Sequence, residues 1–446
     1  EITSIDSPET ILYALSTNPQ GISDTIPLPA PPVGLSLEPG SLQPYSEYIF
    51  TIRADGYEPV TINGAEVLAT VTALQSVQMI PLTTAPSGSS ELFVIPPHTL
   101  YGDYPPPILE SETKPIDESG EIVLESVVIP EYIVVHDGPP NSDAENYYVP
   151  YRDYIKNVAS SEIYATWPEA TIYANILAIQ SFTLNRIYTE WYPSKGYNFT
   201  ITSSTAYDHK WIPGRNIFDT INFAVDQIFT NYLSRPGIRQ PILTQYCDGQ
   251  RTSCPDVMSQ WGSKDLGERG YSAIEILRYY YGNDITFSTT HEIHLPKADA
   301  TTVGNISTSS ATFYSSVVSD GDGNVSDCGF CYSRTPNPTV NDAKVSCGKR
   351  MGTFLATAKD LTENTTYYVR SYVTNEAGTA YGEEVNFATL EILPPTLSAV
   401  TVKTVTHRSV TFSAQIESAN NGVVSDAGFV YSTNHNPGLT NHKVSA

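Results

Sequence analysis

Every strong helical period in this 446-residue chain lies between residues 150 and 285, with strand-type alternation on both sides. That distribution fixes the class before any motif is read. A mostly β chain carries one central α-containing block, so the expectation is a multidomain α+β protein, with room for two to four domains. Within the block the sequence predicts a helix over Asp153 to Ile163, with Tyr154, Ile155 and Val158 on one side. A second helix opens at Pro168, a good first-turn residue, with Thr166 or Trp167 before it. Its stripe is Ile172, Ile176, Ile179, Thr183 and Ile187. A third is expected over Asn216 to Leu233 and a fourth over Ser272 to Tyr281.

Charge divides the chain in the same places. Residues 1–145 hold two cations, Arg53 and Lys114, against 21 acids, whereas 146–290 hold 12 and 13 and 291–446 hold 10 and 14. The formal charge of −24 lacks the clustered cations that nucleic-acid phosphates require, and it disfavours an anionic membrane surface. The acidic excess is read as a solvated face. No run of about 18 apolar residues is present, so no membrane-spanning helix is expected within the chain. The chain starts at Glu1 without a signal-type segment and stops at Ala446 inside a repeat. Both ends are therefore expected to be truncated, with any export signal outside them.

The first 95 residues carry β punctuation. Strands are expected at Tyr48–Ala54, Val67–Val71 and Val77–Leu82, with a turn at Asp55-Gly56-Tyr57 and a Pro-rich loop over 27–32. The stretch PYSEYIFTIRADGYEPVTI resembles the carboxypeptidase regulatory-like (prealbumin-like) β-sandwich, which implies such a domain over 1–95. Residues 83–120 are rich in Pro, Ser and Gly and read as a linker or irregular crossing, strand signals return at Ile122–Ile129 and Tyr132–Val135, and 96–145 is expected to be linker and strands joining the central domain.

The tail repeats itself. SDCGFCYSRTPNPTVNDAKVS at 326–346 realigns with SDAGFVYSTNHNPGLTNHKVS at 425–445, with 11 of 21 positions identical. With the alternation of YYVRSYVTNEAGTAYGEEVNFATL, this resembles fibronectin type III domains of bacterial surface proteins, one over 297–391 and a truncated one over 395–446. Cys328 and Cys331 fall on a strand, where positions i and i+3 face opposite sides. The second copy has Ala427 and Val430 there, so both read as core residues and not metal ligands. His291 and His294 read as solvated linker residues, and Asp320-Gly321-Asp322-Gly323 as a turn in preference to a calcium loop.

The central block carries the chemistry. It holds Val158, Glu162 and Ile163, then Trp167-Pro168, then Ser259-Gln260-Trp261-Gly262. Gly270, Ser272, Ile276, Leu277, Tyr280 and Tyr281 follow. In this order, over residues 146–290, they resemble the stage II sporulation protein D family, which includes the amidase enhancers of bacterial cell walls. The resemblance implies a mixed helical and β domain acting on peptidoglycan, as a lytic transglycosylase that cuts MurNAc–GlcNAc bonds with a single glutamate. The resemblance implies that Glu162 is that glutamate. Among Ile163, Tyr164 and Trp167 its carboxyl loses solvation, which favours the neutral acid. The acid protonates the glycosidic oxygen, and the resulting carboxylate takes the proton of the MurNAc 6-hydroxyl as an anhydro ring closes. No second carboxylate at fixed separation is needed.

The resemblance also places Tyr207, Tyr246 and Ser259 along the groove. Gln260 and Trp261 suit a sugar by their chemistry, an amide for hydroxyls and an aromatic face for the ring; for Trp261 a core role competes. Asn175 and Thr205 stand where the family has Gln, and Gln180 where it has Arg. Cys247 and Cys254, with six residues between them, are read as a disulfide, with free thiols as one alternative. A zinc site with His209 is another, since some members of the family bind zinc near this loop. No other cofactor is expected. The expected setting is extracytoplasmic, with peptidoglycan strands, and possibly a wall amidase, as partners. A non-catalytic amidase enhancer and an adhesive surface protein are the alternatives.

Overall fold

The computed structural model describes residues 1–82, 91–112, 124 and 126–446. The expected linker at 96–145 and the strand signal at Ile122–Ile129 fall partly outside these residues. The chain divides into two compact units, Glu1–Ile293 and His294–Ala446.

In the first unit, the N-terminal part is one five-stranded sheet. Ser7–Tyr13, Ile2–Ser4, Ser46–Ile52 and Val60–Val67 pair antiparallel in that order, and Glu91–Val94 adds in parallel to Val60–Val67. This differs from the sandwich expected over 1–95. Among the described residues no second sheet faces the first. Its apolar face, with Val60, Ile62, Ala65 and Ile95, packs instead with Ile212 from the central block. The turn at Asp55–Gly56 forms, but the strand expected at Val67–Val71 lies earlier, at Val60–Val67. Val77–Leu82 makes only an isolated bridge, Tyr57 to Pro81; the two-residue strand Ala73–Leu74 pairs with Ile217–Phe218. The sheet is also tied by a buried ion pair, Glu66 to Arg215 at 2.7 Å.

A short helical turn, α1 (Gly34–Leu37), precedes the central helices α2 (Tyr151–Glu162), α3 (Glu169–Tyr188), α4 (Asp219–Ile228), α5 (Gln260–Glu268) and α6 (Ala273–Tyr281). Helix α3 is the hub. It is apolar on more than one stripe, and Ile172, Ala174, Ile176, Leu177, Ala178 and Ile179 are all buried, as expected for a helix enclosed on every side. The donors of its polar side chains find partners inside: the Gln180 amide donates to Phe229 O at 2.6 Å, and Asn175 donates to Ser263 Oγ at 2.9 Å, while the amide oxygens of Asn175 and Asn185 stay buried without a hydrogen bond. The sequence overextends the third helix. The helix α4 stops at Ile228, and Asn231–Ser234 turns into a strand paired with Thr286–Thr289. Helix α5 had no expectation at all; its length is only nine residues and its start is set by a cap, Ser259 Oγ accepting from Gly262 N at 2.9 Å. Ser272 and Glu275 form a full capping box on α6.

In the second unit, residues 297–388 form two sheets, one of Lys297–Ala298, Ala311–Ser319, Thr302–Gly304 and Gly352–Ala358, the other built on Asp327–Ser333 and Thr366–Asn375. Phe313, Phe330, Phe354, Val369 and Phe387 fill the core between them. Cys328 and Cys331 are both fully buried in one strand, on opposite faces: Cys328 Sγ lies at Gly348 O and Cys331 Sγ at Pro338 O. Gly321 has φ +69, and a Cβ there would meet His294 O at 2.1 Å, so the turn demands glycine. Residues 396–445 form three strand pairs, Thr396–Leu397 with Ile416–Ser418, Thr401–Val405 with Val410–Ser413 and Gly428–Tyr431 with His442–Ser445.

Candidate active site

Glu162 is the last residue of α2, and the next residue, Ile163, is already extended. Ending the helix there turns the carboxyl out of the helical stack toward two loops, 202–210 and 243–254. The first loop is held by Asp208. Its carboxylate accepts from Thr202 N at 2.9 Å, Thr202 Oγ1 at 2.7 Å, Tyr192 Oη at 2.7 Å and Arg186 Nε at 2.7 Å. A carboxylate with four donors is a rigid anchor, and the guanidinium it meets is buried on α3. Two residues further on, Lys210 N donates to Glu162 Oε1 at 2.5 Å.

The second loop is tied by the Cys247–Cys254 disulfide, with Cα atoms 5.8 Å apart. Inside it Asp248 accepts from Thr252 N at 2.9 Å and Gln250 N at 3.2 Å. Just before it, Tyr246 donates its hydroxyl to Glu162 Oε2. Tyr246 stacks on His209, with ring centroids 5.7 Å apart and planes at 11°. His209 in turn meets Phe182 and places Nδ1 3.2 Å from Tyr154 Oη. Burial drives the His209 pKa down to about 3, so the ring is neutral.

Glu162 is 3 % exposed. Burial pushes its pKa up to about 7, against the opposing pull of the Lys210 N–H, the Tyr246 hydroxyl and the Lys210 charge. Desolvation winning over two hydrogen bonds means that a large fraction of this carboxyl is neutral near pH 7. The Lys210 ammonium is itself held below its usual range by burial, although Asp137 and Glu162 pull the other way.

The other expected site residues take different positions. Gln260 is 5 % exposed and its amide donates to the backbone carbonyl of Glu162 at 3.0 Å. Ser259 caps α5. Trp261 is 4 % exposed, packed 5.0 Å from Trp167 and 6.0 Å from Tyr164. Gln260 thus supports Glu162 from behind through its amide, while the Ser259 hydroxyl is engaged as a cap and the Trp261 ring is packed in the core. Tyr207 lends its backbone carbonyl to Arg186 at 3.0 Å. Asn175 and Gln180 are both 1 % exposed and engaged on α3, away from any open surface. The zinc alternative is corrected as well: Cys247 and Cys254 bind each other, and His209 is enclosed by aromatic rings, so the three do not converge as ligands. Among the described residues no group of three or more His, Cys, Asp and Glu is placed to hold a metal ion.

Lys210, Asp208, Tyr104 and Arg251 had no role in the sequence reading. Lys210 and Asp208 lie in the stretch AYDHKW at 206–211, where a charged Asp-His-Lys run among aromatics is the available signal. Tyr104 sat in the Pro-rich stretch treated as a linker.

No family model and no curated protein matches the chain. Among solved structures, a titin fragment is 18 % identical over 24 % of this chain and 36 % of its own, with a TM-score of 0.20. The FN1–FN3 domains of chicken CNTN1 are 16 % identical over 24 % of this chain and 35 % of theirs, with a TM-score of 0.19. The sensor domain of the anti-sigma factor RsgI4 in Pseudobacteroides cellulosolvens is 24 % identical over 22 % of this chain and 95 % of its own, with a TM-score of 0.18. The chain spans about a third of the length of the titin and CNTN1 chains it matches. None of these likenesses bears on Glu162.

Proposed function

We propose that the protein is an exported, cell-wall-acting lytic transglycosylase of the sporulation protein D type, with Glu162 as its acid and then its base. The observation that carries this is a buried carboxyl without a guanidinium partner, its pKa raised to about 7, fixed from two loops by Lys210 N–H and the Tyr246 hydroxyl. In the neutral form Glu162 gives its proton to the glycosidic oxygen as the C1–O bond breaks. The carboxylate then accepts the proton of the MurNAc 6-hydroxyl as that oxygen bonds to C1. The product is a 1,6-anhydro end, and Glu162 returns to its starting state. The Cys247–Cys254 bridge supports an oxidising, extracytoplasmic setting.

One observation favours the second reading, a wall-binding amidase enhancer of the same fold: Glu162 is closed off, at 3 % exposure. The deciding experiment is Glu162→Gln, which keeps shape and removes the transferable proton. Fold and glycan binding survive, while anhydro-MurNAc ends fall by about 10²-fold or more in mass analysis of digested strands. Unchanged anhydro ends in Glu162→Gln refute the assignment. Binding by the wild-type protein without new ends selects the enhancer.

A further inference from the structure

Of the five cysteines, the three outside the Cys247–Cys254 bridge are thiols gathered between positions 328 and 347. Two of them face each other. The strand Asp327–Ser333 pairs antiparallel with the edge strand Ala343–Ser346, with Gly329 opposite Ser346. One step further in the same register, Cys328 stands opposite Cys347. Cys347 N donates to Cys328 O at 2.7 Å, and the return bond runs from Cys328 N to Gly348 O at 3.2 Å. That two-against-one exchange is a bulge, with Cys347 and Gly348 facing Cys328. Opposed residues put their side chains on one face of a sheet, and both of these pack on the core around Phe330 and Phe354. Cys331 lies on the other face, with its Sγ at Pro338 O and Arg370 O. Hydrogen-bonded cross-strand residues have Cα atoms about 5.5 Å apart, inside the span of about 4.4–6.8 Å that a disulfide takes. The backbone is therefore already placed for a bond, and side-chain rotation is what remains.

The second repeat is a control within the same chain. Ala427 and Ala446 stand where the first copy has Cys328 and Cys347. The backbone there is the same: Ala446 N donates to Ala427 O at 2.8 Å. A Cβ on Gly329 or on Gly428 would meet the facing carbonyl, Val345 O or Val444 O, at 2.2 Å in both copies. The hairpin thus forms without either thiol. At Cys331 the second copy has Val430, an apolar residue of similar size, as a packing role requires. At the facing pair both members shrink to alanine together, as expected when the two sulfurs serve each other.

We propose that Cys328 and Cys347 form a second disulfide, which fastens the edge strand Ala343–Ser346 to the buried strand beside it. The bond is independent of the reading of Glu162. The oxidant is an external disulfide. The half-buried Cys347 attacks it as the thiolate, and one external sulfur leaves and is protonated. Cys328 then displaces the second external sulfur from the mixed disulfide. One S–S bond forms as another breaks, and the external disulfide carries away two electrons and two protons as two thiols. Burial raises the pKa of both protein thiols, that of Cys328 to about 11, against the pull of Arg350. The exchange is accordingly slow and starts at the more exposed sulfur.

The test uses the full chain, held with oxidised glutathione until its thiol count is constant, then quenched in acid and digested without reductant. Denatured protein should show a single thiol, Cys331. A Cys328–Cys347 peptide pair should appear, lighter by two hydrogens, with fragment ions placing the bond at Cys328. Three thiols, a bond from Cys347 to Cys331, or separate glutathione adducts on Cys328 and Cys347 overturn the proposal, whatever the state of Cys247–Cys254. Reducing the bridged protein should speed hydrogen exchange at the residue-347 amide about tenfold or more, because the bond no longer resists local opening. In Cys328→Ala with Cys347→Ala, which restores the residues of the second repeat, reductant should leave that amide unchanged. Equal protection in the bridged and reduced proteins, or a reductant effect that persists in the double variant, overturns the fastening of the edge strand.

Discussion

The Tyr246 hydroxyl donates to Oε2 of Glu162 while its ring lies flat against the neutral His209. The phenol thus opposes the desolvation that raises the Glu162 pKa, and its removal has a defined sign. The wild-type acid is protonated below a pKa of about 7, so activity that needs a proton donor is full at low pH and is lost as pH rises through that value. Tyr246→Phe deletes the donor to the ionised form and moves that limb upward. A hydrogen bond to a charged group is worth about 1.5 kcal/mol or more, so the limb should move by about one pH unit. A pH–rate profile of anhydro-end formation for both proteins measures it. A limb that stays in place or moves downward contradicts the arrangement.

Trp261 separates a core role from a sugar-binding one. It packs against Trp167 and Tyr164 with almost no exposed surface. Trp261→Ala should therefore cost about 3–5 kcal/mol of stability, the range for deleting a buried large aromatic. Trp261→Phe should cost less and retain glycan affinity. Urea unfolding followed by near-ultraviolet circular dichroism gives the first value and strand pulldown the second. A stable Trp261→Ala protein that loses only binding would restore the sugar-contact role.

The parts legible in the sequence were those written in local signals. Pro168 and the helical stripe from Ile172 placed α3, the period over Ser272 to Tyr281 placed α6, and the family resemblance, with Ile163, Tyr164 and Trp167 beside it, singled out Glu162. What failed depended on distant partners. The described strands of 1–95 that pair with one another form one sheet, and its buried cluster of Val60, Ile62, Ala65 and Ile95 also takes in Ile212 from the central block, a partner that local pattern does not record. The Ser259-Gln260-Trp261 run looked like a sugar platform because amides and indoles serve equally well inside a fold. Its direction of facing is set by Glu162 O, 98 residues away in sequence. The 99–112 segment looked like a linker because its hydrogen bonds go to residues far along the chain, and local pattern does not record such bonds.

Asp208 makes a separate prediction. Its side chain accepts from Arg186, Tyr192 and Thr202, and the pair with Arg186 is fully buried. Asp208→Asn leaves the guanidinium facing an amide and substitutes a donor for an acceptor. Breaking a buried pair from one side typically costs about 3–5 kcal/mol. The loss should appear in urea unfolding. Because Lys210 is two residues on, the surviving folded fraction should also show a lower rate of anhydro-end formation. A variant of wild-type stability would show that the network contributes little.

The disulfide prediction concerns both compartment and site. Cys247 and Cys254 close a short loop that begins immediately after Tyr246, so the bridge limits where the Tyr246 hydroxyl can sit. Asp248 already organises the interior of the loop through Thr252 N and Gln250 N. The reduced loop therefore keeps much of its turn, and the cost of reduction should lie at the lower end of the usual range, about 2 kcal/mol. Cys254→Ser should show that loss in urea and, in the unfolding of Glu1–Ile293, should resemble wild type treated with reductant. It should also weaken the Tyr246 hold on Glu162, shifting the alkaline limb of the pH–rate profile upward as Tyr246→Phe does, though by less. Peptide mass without reductant reports the bridge directly, as a Cys247–Cys254 pair lighter by two hydrogens. Two free thiols in protein purified from an oxidising compartment, with stability unmoved by reductant, would overturn the bridge and remove its support for an exported protein.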